Sequence, residues 1–229
     1  LDGTDNKAKL GANAILSVSM AITRAAAFAA RMPLWKFINE YYVRNSKLEI
    51  RNLEPSFPRL MVNVVNGGVH ANWNFDIQEF MIMPKPTDPT ESVRMAAEIF
   101  HALGKEIKGR SLSTLVGDEG GYSPALSGNE EVFELIEEAA QSVGYKRNDD
   151  YEFAVDCAAN EFYSDGVYHF KKTNEDKSSE QLTEYYAQLG QKYNIQSFED
   201  AFAEDDWEAF TKFNTMATEH QFQLVGDDL

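Results

Sequence analysis

The sequence predicts an α/β fold: a parallel barrel, followed part of the way round, with a small helical region in front of it. Three observations carry this reading. From about residue 145 onward the pattern runs strand, helix, strand, helix, strand, and such alternation means parallel strands joined by helical crossovers. Three apolar runs, residues 153–155, 195–198 and 222–225, end at acids, namely Asp156, Glu199 and, one glycine later, Asp227. Apolar runs that stop at a carboxylate look like buried strands whose C-terminal ends open into a site, which is where barrel folds place their chemistry. Before all this lies an alanine-rich helical stretch, set off by a proline-containing linker.

The elements follow in order. Asp5 or Asn6 begins an amphipathic helix that runs to about Arg31, with Leu10, Ala14, Val18, Ala21 and Ala25 on one face. Pro33 separates it from a short second helix over residues 34–42. Residues 51–59, with Pro55 and Pro58, form a linker, which divides the chain into residues 1–55 and 56–229. Residues 60–65 and 80–83 are apolar runs of strand length on either side of a polar loop over residues 66–76. A helix over residues 91–109 takes Thr90 as N-cap and turns Val93, Ala96, Ala97, Phe100 and Leu103 inward. After the glycine-framed loop Gly117-Asp118-Glu119-Gly120-Gly121, Asn129 caps a helix to about Val143, and Gly144 stops it. The regular part then begins. It comprises a strand over 152–155, a hairpin through Ser164-Asp165-Gly166, a helix over 179–193, a strand over 195–198, a helix over 206–219 capped by Asp205 or Asp206, and a strand over 222–225. Two strands precede the first barrel helix, so the start of the series is irregular. Both ends of the chain look cut, and the sequence reads as a fragment.

Composition narrows the function. The 229 residues are 43% hydrophobic and 25% charged, an ordinary globular balance. A net charge of −16, from 21 basic and 37 acidic residues, argues against a nucleic-acid partner, which wants a basic face. The opening Leu1-Asp2-Gly3-Thr4 is no signal peptide, and no uninterrupted apolar stretch of membrane-spanning length is visible, so no membrane is expected. The single cysteine, Cys157, forbids an intrachain disulfide and fits a reducing compartment.

Asp156, Glu199 and Asp227 carry the chemical argument. Successive parallel strands put all three on one rim, and hard oxygen ligands that repel one another suit a cation such as magnesium. One such acid would be an ordinary helix cap; three on consecutive strands make a ligand set. Glu119, displayed between glycines, reads equally as a proton donor or as a solvated turn. His70, after Asn66-Gly67-Gly68-Val69, is borne on a loop that could close over a ligand, and Glu79 precedes a strand and could face either way. His101, His169 and His220 look ordinary. Cys157 has no accompanying base and reads as a buried thiol under the site. Trp207, Phe210 and Phe213 read as core and interface stripe.

The blocks Leu10-Gly-Ala-Asn-Ala-Ile-Leu, Asn66-Gly-Gly-Val-His-Ala, Gln78-Glu-Phe-Met-Ile, Gly117-Asp-Glu-Gly-Gly, Asp156-Cys-Ala, Glu199-Asp, Ala203-Glu-Asp-Asp-Trp-Glu and Gly226-Asp-Asp-Leu resemble enolase, in that family's order along the whole chain. The resemblance implies the end of a small α+β N-terminal domain followed by a TIM-like barrel that starts ββαα. It also implies a cytoplasmic, homodimeric glycolytic enzyme that interconverts 2-phosphoglycerate and phosphoenolpyruvate with Mg2+. On that reading Asp156, Glu199 and Asp227 hold the metal that clamps the substrate carboxylate, and Glu119 protonates the departing hydroxyl. Gln78 and Glu79 lie on the substrate side, Glu199 and Asp227 also border the substrate, and His70 sits on a mobile loop that closes over the site. The lysine base belongs to a later barrel strand, so the chain alone is expected to be inactive. A non-catalytic enolase relative serving as a binding or structural protein is the alternative. Val69, Asn72 and Trp73 in the histidine loop, and Ala201, depart from the family's usual residues.

Overall fold

A computed structural model describes residues 2–4, 7–45 and 56–228, with nothing said of the side chains of residues 42–45. The chain divides into two compact units, Leu1–Ser56 and Phe57–Leu229. Asp5 and Asn6, the expected start of the first helix, lie outside the described residues, as do residues 51–55 of the expected linker.

In the first unit, α1 spans Ala12–Ala29 and α2 spans Leu34–Asn45. The first helix starts later than the sequence pattern predicts. Gly11 takes φ +81°, outside helical space, and the Asp2 carboxylate accepts the Leu10 backbone N–H at 2.6 Å, holding residues 8–10 as turns. Pro33 stands just before α2, and its carbonyl accepts the Phe37 N–H at 3.0 Å. The expected inward face of α1 is not covered: within the helix only Ala27 is buried, and Phe28 is 86% exposed. Among the described residues α1 is the one helix long and apolar enough, by length and composition alone, to cross a membrane. Asn13, Ser17, Ser19, Thr23 and Arg24 interrupt it.

The second unit is built on a five-stranded sheet in the order β1-β2-β3-β7-β8. β1 (Val62–Asn66) pairs antiparallel with β2 (Glu79–Pro84), and β2 pairs antiparallel with β3 (Tyr151–Asp156). β3 then pairs parallel with β7 (Ile195–Glu199), and β7 with β8 (Gln223–Val225). This is the start of a barrel with an irregular opening, and the described sheet is not closed. Helices α3 (Pro89–Gly109) and α4 (Asn129–Ser142) lie between β2 and β3, and α5 (Ser179–Tyr193) and α6 (Trp207–His220) make the parallel crossovers. A separate sheet of β4 (Tyr163–Ser164), β5 (Val167–Phe170) and β6 (Glu175–Lys177) follows β3. Its first turn needs left-handed backbone, which Asp165 (φ 52°) and Gly166 (φ 83°) supply.

The main hydrophobic core joins the sheet to its helices, and Met81, Met83 and Ala154 form a separate small cluster. Phe80, Phe133, Phe153 and Tyr193 stack or meet edge-to-face with centroids 4.5–5.1 Å apart, and Tyr186, Phe198, Phe202 and Phe213 form a second aromatic group under α5 and α6. Phe210 and Phe213 are core, as expected, but Trp207 is 63% exposed at the first turn of α6. Along α3 the buried residues are Ser92, Met95, Ala96, Ile99, Ala102, Leu103 and Ile107, and Val93 is 56% exposed. Ala96 and Leu103 of the predicted stripe are buried and Phe100 packs against the core, whereas Val93 and Ala97 face outward and Met95, Ile99, Ala102 and Ile107 complete the buried face. The cap of α3 is Asp88, not Thr90: the Asp88 carboxylate accepts the Thr90 N–H at 2.7 Å. Asn129 is likewise no cap. The residue before α4 is Gly128, and the Asn129 side chain accepts the N–H groups of Asp76 and Ile77 and donates to the Tyr185 hydroxyl. Asp206 does cap α6, accepting the Ala209 N–H, and Ser178 caps α5 in a reciprocal box with Gln181.

Candidate active site

Strand register assembles the site. Asn66 pairs with Glu79, Glu79 with Asp156, Asp156 with Glu199, and Glu199 with Val225. Adjacent strands lie about 4.8 Å apart, so one row across the sheet carries an amide and three carboxylates side by side. β2 runs against β3, which puts the first residue of β2 beside the last residues of β3 and β7. The ambiguity over which way Glu79 faces is thereby removed.

Glu119 reaches this row from the loop after α3. Its carboxylate accepts from Asn66 Nδ2 at 2.8 Å and from Asn63 Nδ2 at 3.4 Å, and His70 Nδ1 lies 2.7 Å from its other oxygen. It also shares a hydrogen bond with Glu79. The glycines around Glu119 have a specific purpose. Asn66 Oδ1 accepts the Gly121 N–H at 2.8 Å, and a Cβ at Gly121 would stand 2.7 Å from that oxygen, while one at Gly117 would stand 2.8 Å from Asn66 Cβ. Asn66 occupies the space that two side chains would need. Gly120 turns the loop at φ +87°.

The electrostatics follow from crowding. Burial, then the hydrogen bond and charge of Glu119, push the Glu79 carboxyl up to about 9. Burial and the nearby Glu199, Asp200 and Glu119 push Asp156 up to about 8, although the Ala158 N–H, donated at 2.9 Å, works the other way. Glu199 is raised by burial and then by Asp200, Asp227, Asp228 and Glu119. The neighbouring charges that act most strongly on these three carboxyls are all negative. Of the acids in and around the row, Glu79 is the one pushed furthest toward its neutral form.

A family model described as "Enolase, C-terminal TIM barrel domain" matches residues 54–229, and one described as "Enolase, N-terminal domain" matches residues 1–38. The chain belongs to the enolase family.

Asn66 and Asp200 organise this enolase-family site. Asn66, read from the sequence only as part of a polar loop, is fully buried and ties Glu119 to β1. Asp200 supports a neighbour of Glu199 in the site, the kind of supporting or structural part that the second acid of a doublet suggests. It is 3% exposed, in left-handed backbone (φ 41°), and its carboxylate accepts the Asp227 N–H at 3.2 Å and the Asp228 N–H at 3.2 Å. Asp200 therefore sets where Asp227 can be. Asn66 sits at the end of an apolar run and the acid doublet Glu199-Asp200 is visible, but the partners of both lie far along the chain. Gln78 is buried with its side-chain oxygen unpartnered among the described residues, and it lies beneath Gly68. Cys157 is a fully buried thiol, pushed up by burial, as expected of a residue that packs under the site.

The donor set fits a hard divalent cation in kind: carboxylate oxygens at adjacent strand ends, mutual repulsion, and unpartnered buried oxygens of Gln78 and Asn63. Among the described residues no three Asp, Glu, His or Cys side chains are grouped closely enough to form a ready-made metal cage. Asp156 and Glu199 are register neighbours, whereas Asp227 lies on the exposed segment after β8.

Proposed function

We propose that the protein is a glycolytic enolase, dehydrating 2-phosphoglycerate reversibly to phosphoenolpyruvate with Mg2+. The observation that carries this reading is the placement of Glu119 against the row of strand-end acids, with Asn66 Nδ2 2.8 Å from one of its oxygens and His70 Nδ1 2.7 Å from the other. Elimination of a hydroxyl from carbon needs a proton donor, and a carboxyl fixed by amide and imidazole groups beside a row of other acids is placed to act as one. Glu119 delivers the proton to the departing hydroxyl. Asn66 and Asn63 hold its carboxylate in place, and Glu79 keeps a proton within reach of it. His70 closes the loop side of the pocket and borders the leaving group. Gln78 and Glu79 line the substrate side.

Asp156, Glu199 and Asp227 are the residues we assign to Mg2+. Bound there, the ion would offset the charge that builds on the substrate carboxylate as the carbon-bound proton leaves. Asp200 fixes the backbone that presents Asp227. The base is a lysine from a later barrel strand, as the family resemblance implies, and a cytoplasmic homodimer is the form we expect.

The test is phosphoenolpyruvate formation from 2-phosphoglycerate with Mg2+, for the full-length protein and for this chain alone. We expect turnover in the first and none in the second. Turnover by the isolated chain would contradict the assignment of the base. Full-length protein that binds 2-phosphoglycerate without converting it would favour the non-catalytic relative.

A further inference from the structure

The loop between β1 and β2 carries His70, and its backbone is strained just after it. Asn72 (φ 52°) and Trp73 (φ 59°) are consecutive non-glycine residues in the left-handed region. A bulky side chain seldom occupies that region, and such strain persists only where the surroundings over-determine it. Here they do. The Trp73 N–H donates to the Gly68 carbonyl at 2.8 Å, and the indole meets the Phe162 ring edge-on with centroids 6.5 Å apart. Lys171 Nζ lies 3.6 Å from the centre of the indole ring. The next residue grips the loop a second time, because the Lys172 backbone N–H donates to the buried Asp76 carboxylate at 2.9 Å. On the other flank, Asn74 Nδ2 donates to the Ser123 hydroxyl at 2.9 Å and to its carbonyl at 3.2 Å, just beyond the loop that bears Glu119.

We propose that Trp73 is a positioning residue. Held between Phe162 and the Lys171 ammonium, it fixes the loop so that His70 stands against Glu119. The turn after β5 thus governs the active-site loop from outside the barrel sheet. This deepens the proposed enolase reading and rests on it for the catalytic consequence, though not for the clamp itself. Trp73 thus gives the loop a preferred conformation whose grip depends on one cation.

Lys171 is exposed, so Lys171→Met removes the charge and keeps the stem without a folding penalty. In the 229-residue chain carrying Trp35→Phe and Trp207→Phe, Trp73 is the sole indole. Lys171→Met is expected to raise its acrylamide quenching about twofold, and Lys171→Arg to restore it, since guanidinium also binds aromatic faces. The His70 ring proton signals should shift in Lys171→Met and return in Lys171→Arg, while those of His101, on the exposed face of α3, stay put. In the full-length protein Lys171→Met should lower kcat by about two- to fivefold with KM within about twofold, the range of an exposed cation–π contact. Unchanged quenching, or unchanged His70 signals, would overturn the clamp. A full-length protein without 2-phosphoglycerate turnover would overturn the proposed reaction instead, and the spectral results would still decide on Trp73.

Discussion

Glu119 is met by two asparagine amides, the His70 imidazole and the Glu79 carboxyl. Asp156 and Glu199, a strand or two away in the same row, are surrounded chiefly by other acids. The two sides of the site share a rim and a residue type, and they differ in what completes them. The Glu119 side draws its partners from the antiparallel opening of the sheet, where a strand and its neighbouring loops can converge on one carboxylate. The parallel side has only strand ends, each separated from the next by a helix, and it supplies negative charge without a counter-charge. Proton chemistry can therefore be arranged with the chain's own donors, whereas the parallel rim is where the proposed Mg2+ would supply a counter-charge.

The largest expected effect would break the first side. Glu119→Gln keeps the shape and removes the proton, and should lower kcat of the full-length protein by about a hundredfold or more. Circular dichroism should be unchanged, and an activity loss below about tenfold would remove Glu119 from the acid role. Gly121→Ala attacks the same side through packing. Its Cβ would meet the oxygens of Asn66 and Asn63 and the Val65 backbone nitrogen at 2.7–2.9 Å, so urea unfolding should show a loss of about 1–3 kcal/mol.

The parallel side should respond in the opposite sense. Asp156→Asn retains an acceptor for the Ala158 N–H and removes one of the crowded charges. In metal-free buffer at about pH 8 it should gain about 1–2 kcal/mol, and the stabilisation of the wild type by Mg2+ should disappear with it. Calorimetry with and without Mg2+ would show a loss of stability instead if Asp156 were held by an unseen cationic partner. The pH dependence sharpens the same point. Asp156 and Glu79 rise from ordinary values of 3.8 and 4.5 to about 8 and about 9 on folding. Each takes up a proton as the chain folds, so its stabilisation is complete below the ordinary value and drains away as pH climbs to the folded value. The metal-free urea midpoint should therefore fall between about pH 4 and pH 9, and added Mg2+ should flatten the slope at its alkaline end. The smallest effect is reserved for Asn63→Ala. Its 3.4 Å contact to Glu119 is long, and a change in stability above about 0.5 kcal/mol would mean that it matters more than its geometry implies.

Much of the parallel half was legible in the sequence, because apolar runs closing on acids mark strand ends without reference to anything distant. α5, over residues 179–193, and β7 lie where the pattern put them. The antiparallel half was harder. Glu79 could not be oriented without knowing that β2 runs against β3, and Asn66 is defined by its hold on residues more than fifty positions away. β6 (Glu175–Lys177) has no apolar signature at all, and only its pairing with β5 makes it a strand. The inward face of α3 was legible at Ala96, Phe100 and Leu103 but not at Val93 and Ala97, because which flank of the apolar stripe is covered depends on the elements packed against it. Local pattern recorded where elements lie; their mutual register is what made the site.

The ladder between β2 and β3 bears on how this molecule comes to be folded. It pairs Glu79 with Asp156 across a stretch containing α3 and α4, so a long loop must close before the contact repays the lost chain entropy. At neutral pH that closure also brings carboxyls together that resist being neighbours. The long loop thus closes onto the same row of residues that we propose for the chemistry, and a mildly acidic refolding buffer, by supplying protons to that row, is expected to ease that closure.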